Sequence, residues 1–231
     1  MDVIPQTSLF LGIIPALILL YISLKGYEGH YKEKNIFLTF VVGIILGFFA
    51  AITRSFTLPL VIVYIILFAL FEQLFKTMIL NIGRFHEKKE TTIYGLSLGL
   101  GFGSVFTPFL IIAVSSLITS DVYVLSLIVM GSLGIILFHG ATGACIGYGI
   151  YAGKLTKYLL ATMIIQIPFN FIIDMMIVSS DNPSSYLKLG IVAGLVVYGG
   201  IVFWYVVKKI MPKILSRSRK RDKNRNLDRN K

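Results

Sequence analysis

Residues 123–151 read YVLSLIVMGSLGIILFHGATGACIGYGIY. The stretch contains no Asp, Glu, Lys or Arg, and it exceeds the roughly 20 apolar residues that a membrane-spanning helix needs. A run of this length is expected to tilt in the bilayer or to break, here near Gly131 and Gly134. The stretch therefore predicts an integral membrane protein.

The rest of the chain has the same character. Of its 231 residues, 56% are hydrophobic and only 14% are charged, whereas a soluble domain carries about 25% charged residues. Residues 1–207 are predicted to form an all-α, polytopic domain of seven transmembrane helices, and no water-exposed segment is long enough to bury a core of its own. The six further spans are Ser8–Leu24, Ile36–Ile52, Pro59–Ile82, Thr92–Leu117, Tyr158–Ser179 and Leu189–Val207.

The basic residues are concentrated at the carboxyl end. Eleven of the 22 Lys and Arg residues lie in residues 208–231, which we interpret as a disordered cytoplasmic tail that binds anionic lipid headgroups, with no nucleic acid expected as a partner. The loops predicted to lie outside carry only Arg54 and Lys188. This asymmetry predicts a multi-pass protein of the cell (plasma) membrane with its amino terminus outside and its carboxyl terminus in the cytoplasm.

Glycine spacing predicts close contacts between helices. Gly95, Gly99 and Gly103 recur every four residues in the fourth span, which lets two helix backbones approach each other. The same spacing occurs in Gly143 with Gly147, Gly149 with Gly153, and Gly190 with Gly194.

Four ionisable residues lie inside predicted spans: Glu72, Lys76, His139 and Asp174. A charge at the bilayer centre costs at least about 2.5–3.5 kcal/mol, so each one needs a reason. Glu72 and Lys76 are four residues apart and therefore share a helix face. Glu72 and His139 lie at similar depth, so the two meet if the third and fifth spans pack together.

Polar residues also mark the fourth and sixth spans. Gln166, Asn170 and Asp174 form a stripe along the sixth span, and Thr107-Pro108 predicts a kink in the fourth. We expect Thr107 and the stripe to line a polar cavity. Structural alternatives stay open: Glu72 with Lys76 as a self-neutralising pair, His139 as a packing hydrogen bond, and the stripe as a device for helix association.

Three stretches resemble the PrsW family of intramembrane peptidases, which belongs to a wider group with the CAAX prenyl endopeptidases and the APH subunit of gamma-secretase. Phe71-Glu72-Gln73-Leu74-Phe75-Lys76 is similar to the family's Glu-Glu-x-x-Lys motif. Residues 94–103 are similar to its glycine-rich helix, and His139-Gly140 with Gly147-Tyr148 is similar to its histidine-bearing helix. The motifs occur in the family's order within residues 68–153.

The resemblance implies a peptidase of the glutamic or metallo type that acts on membrane-embedded or membrane-proximal protein segments. Glu72 would be the general base, His139 its partner or an oxyanion donor, and Lys76 the residue that orients Glu72. Two departures concern the acidic residues: Gln73 replaces the family's second glutamate, and Phe106-Thr107 replaces its Glu-Asn.

These departures keep two alternatives open, namely a non-catalytic scaffold or binding relative of the family and a small ion or proton transporter. The hydrolytic hypothesis requires no cofactor. A divalent metal such as zinc stays an alternative, although only Glu72 and His139 are good ligands and catalytic zinc usually has three protein ligands.

Overall fold

The computed structural model describes residues 4–57, 59–85, 88–114, 122–178 and 185–215. In these residues the regular structure is entirely helical. The helices are α1 (Ile4–Leu24), α2 (Glu33–Ser55), α3 (Ile62–Leu80), α4 (Thr91–Ser104), α5 (Phe106–Val114), α6 (Val122–Tyr151), α7 (Leu155–Val178) and α8 (Ser185–Tyr205).

Five helical segments are long and apolar enough to cross a membrane, which indicates a membrane protein. They are α2, α3, residues Leu125–Tyr151 of α6, α7, and residues Ser185–Leu215, which begin with α8. In α1 the apolar segment Phe10–Leu24 is shorter. Large apolar side chains cover the outer surface, including that of Trp204, the chain's one tryptophan, which is 59% exposed. Such a surface suits contact with lipid rather than with water.

The described part of the predicted fourth span, residues 92–114, consists of two helices, because the chain breaks at Val105 between α4 and α5, and residues 115–117 lie outside the described residues. Pro108 lies in the first turn of α5 and has no backbone N–H, so it cannot bond the carbonyl of Ser104 in the helical pattern. The structure therefore places the break near the predicted kink. The fifth span, in contrast, is continuous as α6, so the alternative of a break near Gly131 and Gly134 is wrong.

The carboxyl end of the helical domain extends further than predicted. A π-helical turn, Val206–Ile210, follows α8 and contains Lys208 and Lys209. Val206 and Ile210 are buried against the rest of the molecule. The predicted tail therefore begins inside an ordered helical segment, and the rest of it, residues 216–231, lies outside the described residues.

Helix α4 occupies the centre of the molecule, and every residue from Thr91 to Ser104 is buried. It packs mainly between α6 and α2. A methyl group added to Gly99 would collide with the carbonyl oxygen of His139 on α6, and one added to Gly101 would collide with that of Phe40 on α2. We call α2, α4 and α6 the glycine-packed core.

Glycine pairs outside this core behave differently. Gly190 and Gly194 on α8 have no close neighbour in the part of the chain that the structure describes, and an added Cβ would meet none of its atoms within 4 Å. The close packing predicted for this pair is wrong. Gly153 lies in the turn after α6 with a φ of +66°, a conformation that glycine adopts readily.

Candidate functional site

Glu72 and His139 meet in the interior of the helical domain. Glu72 projects from α3 and His139 from α6, and each is 1% exposed. The Glu72 Oε2 and His139 Nε2 atoms are 4.0 Å apart. The structure therefore brings together an acid and an imidazole that are 67 positions apart in the sequence.

Lys76 holds the other side of the imidazole. Its Nζ is 2.9 Å from His139 Nδ1 and 3.0 Å from Thr142 Oγ1. When Lys76 is an ammonium group it only donates hydrogen bonds, so that Nδ1 is the acceptor and the ring proton of a neutral histidine is on Nε2. His139 consequently directs an N–H group toward the Glu72 carboxylate.

Aromatic rings enclose the imidazole on its remaining sides. The ring centroid of Phe102 is 4.7 Å from that of His139, and Phe106 stacks on His139 at 5.6 Å with an angle of 16° between the rings. The α4–α5 break lies between these two phenylalanines. Phe106 is 2% exposed and supplies an apolar wall on one face of the His139 ring.

Side-chain amides connect Glu72 to α7. Gln166 Nε2 donates a hydrogen bond to Glu72 Oε2, and Gln73 Nε2 donates one to Gln166 Oε1. Gln166 Nε2 also lies 3.3 Å from Asn170 Oδ1. The polar stripe that was predicted along the sixth span, now α7, therefore contacts Glu72 on α3 directly.

Arg54 ends this chain of side chains and corrects the sequence analysis. It lies in the last turn of α2 and is 7% exposed, rather than in an outside loop. Its guanidinium forms an ion pair with Asp174 and lies 3.4 Å from Asn170 Oδ1. Asp174 also accepts a hydrogen bond of 3.0 Å from the backbone N–H of Leu60, whose φ of +61° is left-handed.

A signal for the role of Arg54 was present in the sequence. Asp174 is an acid in an apolar span, and such an acid needs a cationic partner. The predicted second span ends at Ile52, so Arg54 was predicted to lie two residues beyond it, in an outside loop. The second cation of the predicted outside loops, Lys188, lies in the first turn of α8 rather than in a loop.

Thr107 lies apart from this chain of side chains. Its hydroxyl hydrogen-bonds that of Ser132 on α6, at the contact between α5 and α6. Both side chains are buried. Among the described hydrogen bonds, Thr107 is therefore part of helix packing rather than of the sequence of contacts from Lys76 to Asp174.

The ionisable groups of the site balance in number. Arg54 and Lys76 are its two basic residues, and Glu72 and Asp174 are its two acidic residues. All four side chains are almost fully buried, so pairing offsets much of the cost of placing charge in an apolar interior.

A metal site has limited support from the residues that the structure describes. No group of three or more His, Cys, Asp or Glu residues in the described part of the chain is arranged to hold a metal ion. Glu72 and His139 are the two candidate ligands that lie close together.

The comparisons with known proteins add no family. No protein-family model, no curated protein and no solved structure matches this chain.

Proposed function

We propose that the protein is an intramembrane peptidase similar to the PrsW family. The observation that carries the proposal is the 4.0 Å approach of the Glu72 carboxylate to the protonated side of His139. A carboxylate can accept a proton from water, and a fixed N–H group can stabilise an oxygen that gains negative charge. The two groups needed for water-driven hydrolysis therefore share one location.

A catalytic water needs only a small opening of this pair. Two hydrogen bonds of about 2.8 Å that meet at one water oxygen at a tetrahedral angle span about 4.6 Å. The observed gap is shorter by roughly half an ångström, so a slight movement of α3 relative to α6 admits the water between Glu72 and His139.

The chemistry then follows from the two side chains. Glu72 removes a proton from the water while the water oxygen bonds to the scissile carbonyl carbon. His139 Nε2–H donates a hydrogen bond to the resulting oxyanion. When the C–N bond breaks, Glu72 returns its proton to the leaving amine, so that each cycle consumes one water and regenerates both groups.

The membrane arrangement that we propose has seven crossings, in which α4 and α5 together form the fourth. The amino terminus lies outside, and the carboxyl terminus lies in the cytoplasm of a cell whose plasma membrane holds the protein. Arg84, between α3 and α4, lies 2.6 Å from Asn35 Oδ1 at the start of α2. This contact supports the placement of these two basic connections on one side of the membrane, with anionic headgroups as partners of the basic tail.

The substrate in this proposal is a membrane-embedded or membrane-proximal segment of another protein. Glu72 lies on α3, whose outward face exposes Val63, Leu67 and Phe71 among other apolar side chains. Separation of α3 from its neighbours would open a route from the lipid to the carboxylate, as the proposal requires.

The test uses the full-length protein in liposomes with a panel of fluorescent reporters, each carrying one transmembrane helix. We expect the wild-type protein to cleave at least one reporter and Glu72→Gln to lose that cleavage by about 10³-fold or more. Glu28→Gln is the matched control, because Glu28 is a carboxylate outside the helices and far along the chain from the site. Equal cleavage by Glu72→Gln and the wild type would refute the proposal.

A non-catalytic scaffold is the second candidate. The near-complete burial and close approach of Glu72 and His139 favour it, because a buried polar cluster also serves to fix helix positions. A stable complex with one membrane protein, without cleavage of that protein, would support the scaffold. Proton flux in the same liposomes would point instead to the transporter.

A further inference from the structure

Asn170 and Gln166 connect Arg54 to Glu72 through a series of hydrogen bonds. Each of these bonds has a fixed donor and a fixed acceptor. Arginine can only donate, so Asn170 Oδ1, 3.4 Å from the guanidinium, must accept. The amide nitrogen of Asn170 then donates to the backbone carbonyl of Ile65, at 3.3 Å. The orientation of the Asn170 amide is thus set from both ends.

The orientation of Gln166 follows from that of Asn170. Its nitrogen faces two acceptors, Asn170 Oδ1 and Glu72 Oε2, and its oxygen must therefore face a donor. Gln73 Nε2 is that donor. Reversal of the Gln166 amide would place oxygen against oxygen on two sides and nitrogen against nitrogen on the third.

Gln73 uses only half of its amide in these contacts. Its Nε2 bonds Gln166, whereas its Oε1 is buried without a hydrogen-bond partner among the described residues. A buried acceptor without a partner is unfavourable. Position 73 is therefore occupied by a residue that can donate to Gln166, although its own oxygen lowers the stability of the fold. An ionised glutamate there would offer only acceptors and would draw the nitrogen of Gln166 away from Glu72.

We propose that Gln166 is a positioning residue that holds the Glu72 carboxylate, and that Gln73 fixes the direction in which Gln166 donates. This inference rests on the proposed peptidase function for its catalytic consequence. In this arrangement Gln73 has a positioning role of its own, at the place where the PrsW family has the second glutamate of its motif. We call the residues Gln73, Gln166 and Asn170 the amide relay.

The first test reads the carboxylate itself and needs no substrate. Infrared spectra of the full-length protein in lipid contain the carboxylate stretching band of Glu72, which is assigned by its loss in Glu72→Gln. Because Gln166 donates directly to that carboxylate, Gln166→Met shifts the band. Gln73→Met shifts it less, since Gln166 keeps its other two partners.

The matched control is Thr162→Val, one turn earlier on α7. Thr162 is 1% exposed and its hydroxyl bonds only the carbonyl of Leu159 among the described contacts. A band that stays in place in Gln166→Met, or that moves equally in Thr162→Val, overturns the proposal. So does the absence of a carboxylate band that depends on Glu72.

The second test reads cleavage of the same fluorescent reporter. Gln166→Met and Gln73→Glu each lower kcat by about tenfold or more with KM nearly unchanged, because a misplaced base affects the chemical step. The double variant Q73E/Q166K recovers most of the loss, since the introduced lysine donates to Glu72, to Asn170 Oδ1 and to the introduced glutamate. A double variant no better than either single change overturns the relay.

The two proposals fail in different ways. If Glu72→Gln is inactive and Gln166→Met retains full kcat, the peptidase stands and the relay falls. If Glu72→Gln is fully active, the peptidase falls, and the infrared band alone then decides whether Gln166 positions the carboxylate.

Discussion

The contact between α4 and α6 and the contact between α3 and α7 are built in opposite ways. In the first, glycines bring two backbones so close that Gly95 and Gly143 leave no space for a methyl group on either helix. In the second, the side chains of Gln73, Gln166 and Asn170 connect the helices by directional hydrogen bonds. Two backbones that pack this closely fit together in one arrangement. Hydrogen bonds in a membrane, in contrast, contribute on average only about 0.6 kcal/mol each and can re-form with other partners.

This difference divides the candidate pair between two regions. His139 belongs to α6 in the glycine-packed core, and Glu72 belongs to α3, which lies outside that core. A movement of α3 therefore changes the distance between the two groups and must also lengthen the contacts of Lys76 with His139 and Thr142, whereas the glycine contacts between α4 and α6 stay in place. In the proposed peptidase, His139 would keep its position in the core while a movement of α3 would give water and substrate access to Glu72.

The largest expected effect comes from filling the glycine-packed core. In Gly99→Leu the new side chain meets the backbone of His139 and Gly140 within 3 Å, and neither can move without separating α4 from α6. We expect loss of the folded, monodisperse protein in size-exclusion chromatography. Gly194→Leu, which adds the same side chain on the open face of α8, should elute as the wild type does. Normal folding of Gly99→Leu would show that the core is not rigid.

The next effect concerns the buried ion pair of α2 and α7. Asp174→Leu leaves Arg54 without its carboxylate in an apolar interior, and we expect a loss of stability of about 3 kcal/mol in thermal or denaturant unfolding. Arg54→Met combined with Asp174→Leu removes both charges and should be less destabilised than Asp174→Leu alone. A double variant less stable than Asp174→Leu would mean that Arg54 stabilises the fold through other contacts, such as those with Asn170.

Lys76→Met tests the contact that joins the two regions. It removes the donor to His139 Nδ1 and to Thr142 Oγ1, so the imidazole loses the group that fixes its proton on Nε2. We expect stability to fall by about 2 kcal/mol and reporter cleavage to fall by about tenfold or more. Lys154→Met, a change of an exposed lysine between α6 and α7, should alter neither quantity.

The smallest effect is expected at the end of the core, where Tyr94 accepts hydrogen bonds from Lys32 N and Asn35 Nδ2, each at 3.2 Å. Tyr94→Phe keeps the ring and removes this acceptor, so we expect about 1 kcal/mol of destabilisation. Tyr186→Phe, at a side chain that is 90% exposed, serves as the control. A larger effect at Tyr94 than at Asp174 would reverse the expected order of the two regions.

Hydropathy and spacing predicted the helical, membrane-type architecture because both depend on local sequence. The glycine repeat of α4 identified a close helix contact, since a four-residue spacing places small residues on one face. The same spacing in Gly190 and Gly194 led to a wrong prediction of close packing, because the sequence does not show whether another helix lies against that face. Pro108 indicated the break before α5 through its missing N–H.

Pairings between distant residues were harder to predict. A common depth made the approach of Glu72 and His139 an expectation, but depth alone does not fix which faces of two helices meet. The contacts of Arg54 with Asn170 and Asp174 join residues 116 and 120 positions apart, and they arise because the long Arg54 side chain at the end of α2 reaches α7. The direction of the Gln166 amide depends on three such contacts together and therefore required coordinates.

The fluorescence of the single tryptophan can measure the depth of one helix end in the bilayer. Trp204 faces outward near the end of α8, four residues before Lys208, where aromatic rings favour the boundary between acyl chains and headgroups. Lipids brominated at successive carbon positions would quench its fluorescence according to depth, without any label on the protein. Strongest quenching by shallow bromines would place this end of α8 at the membrane surface.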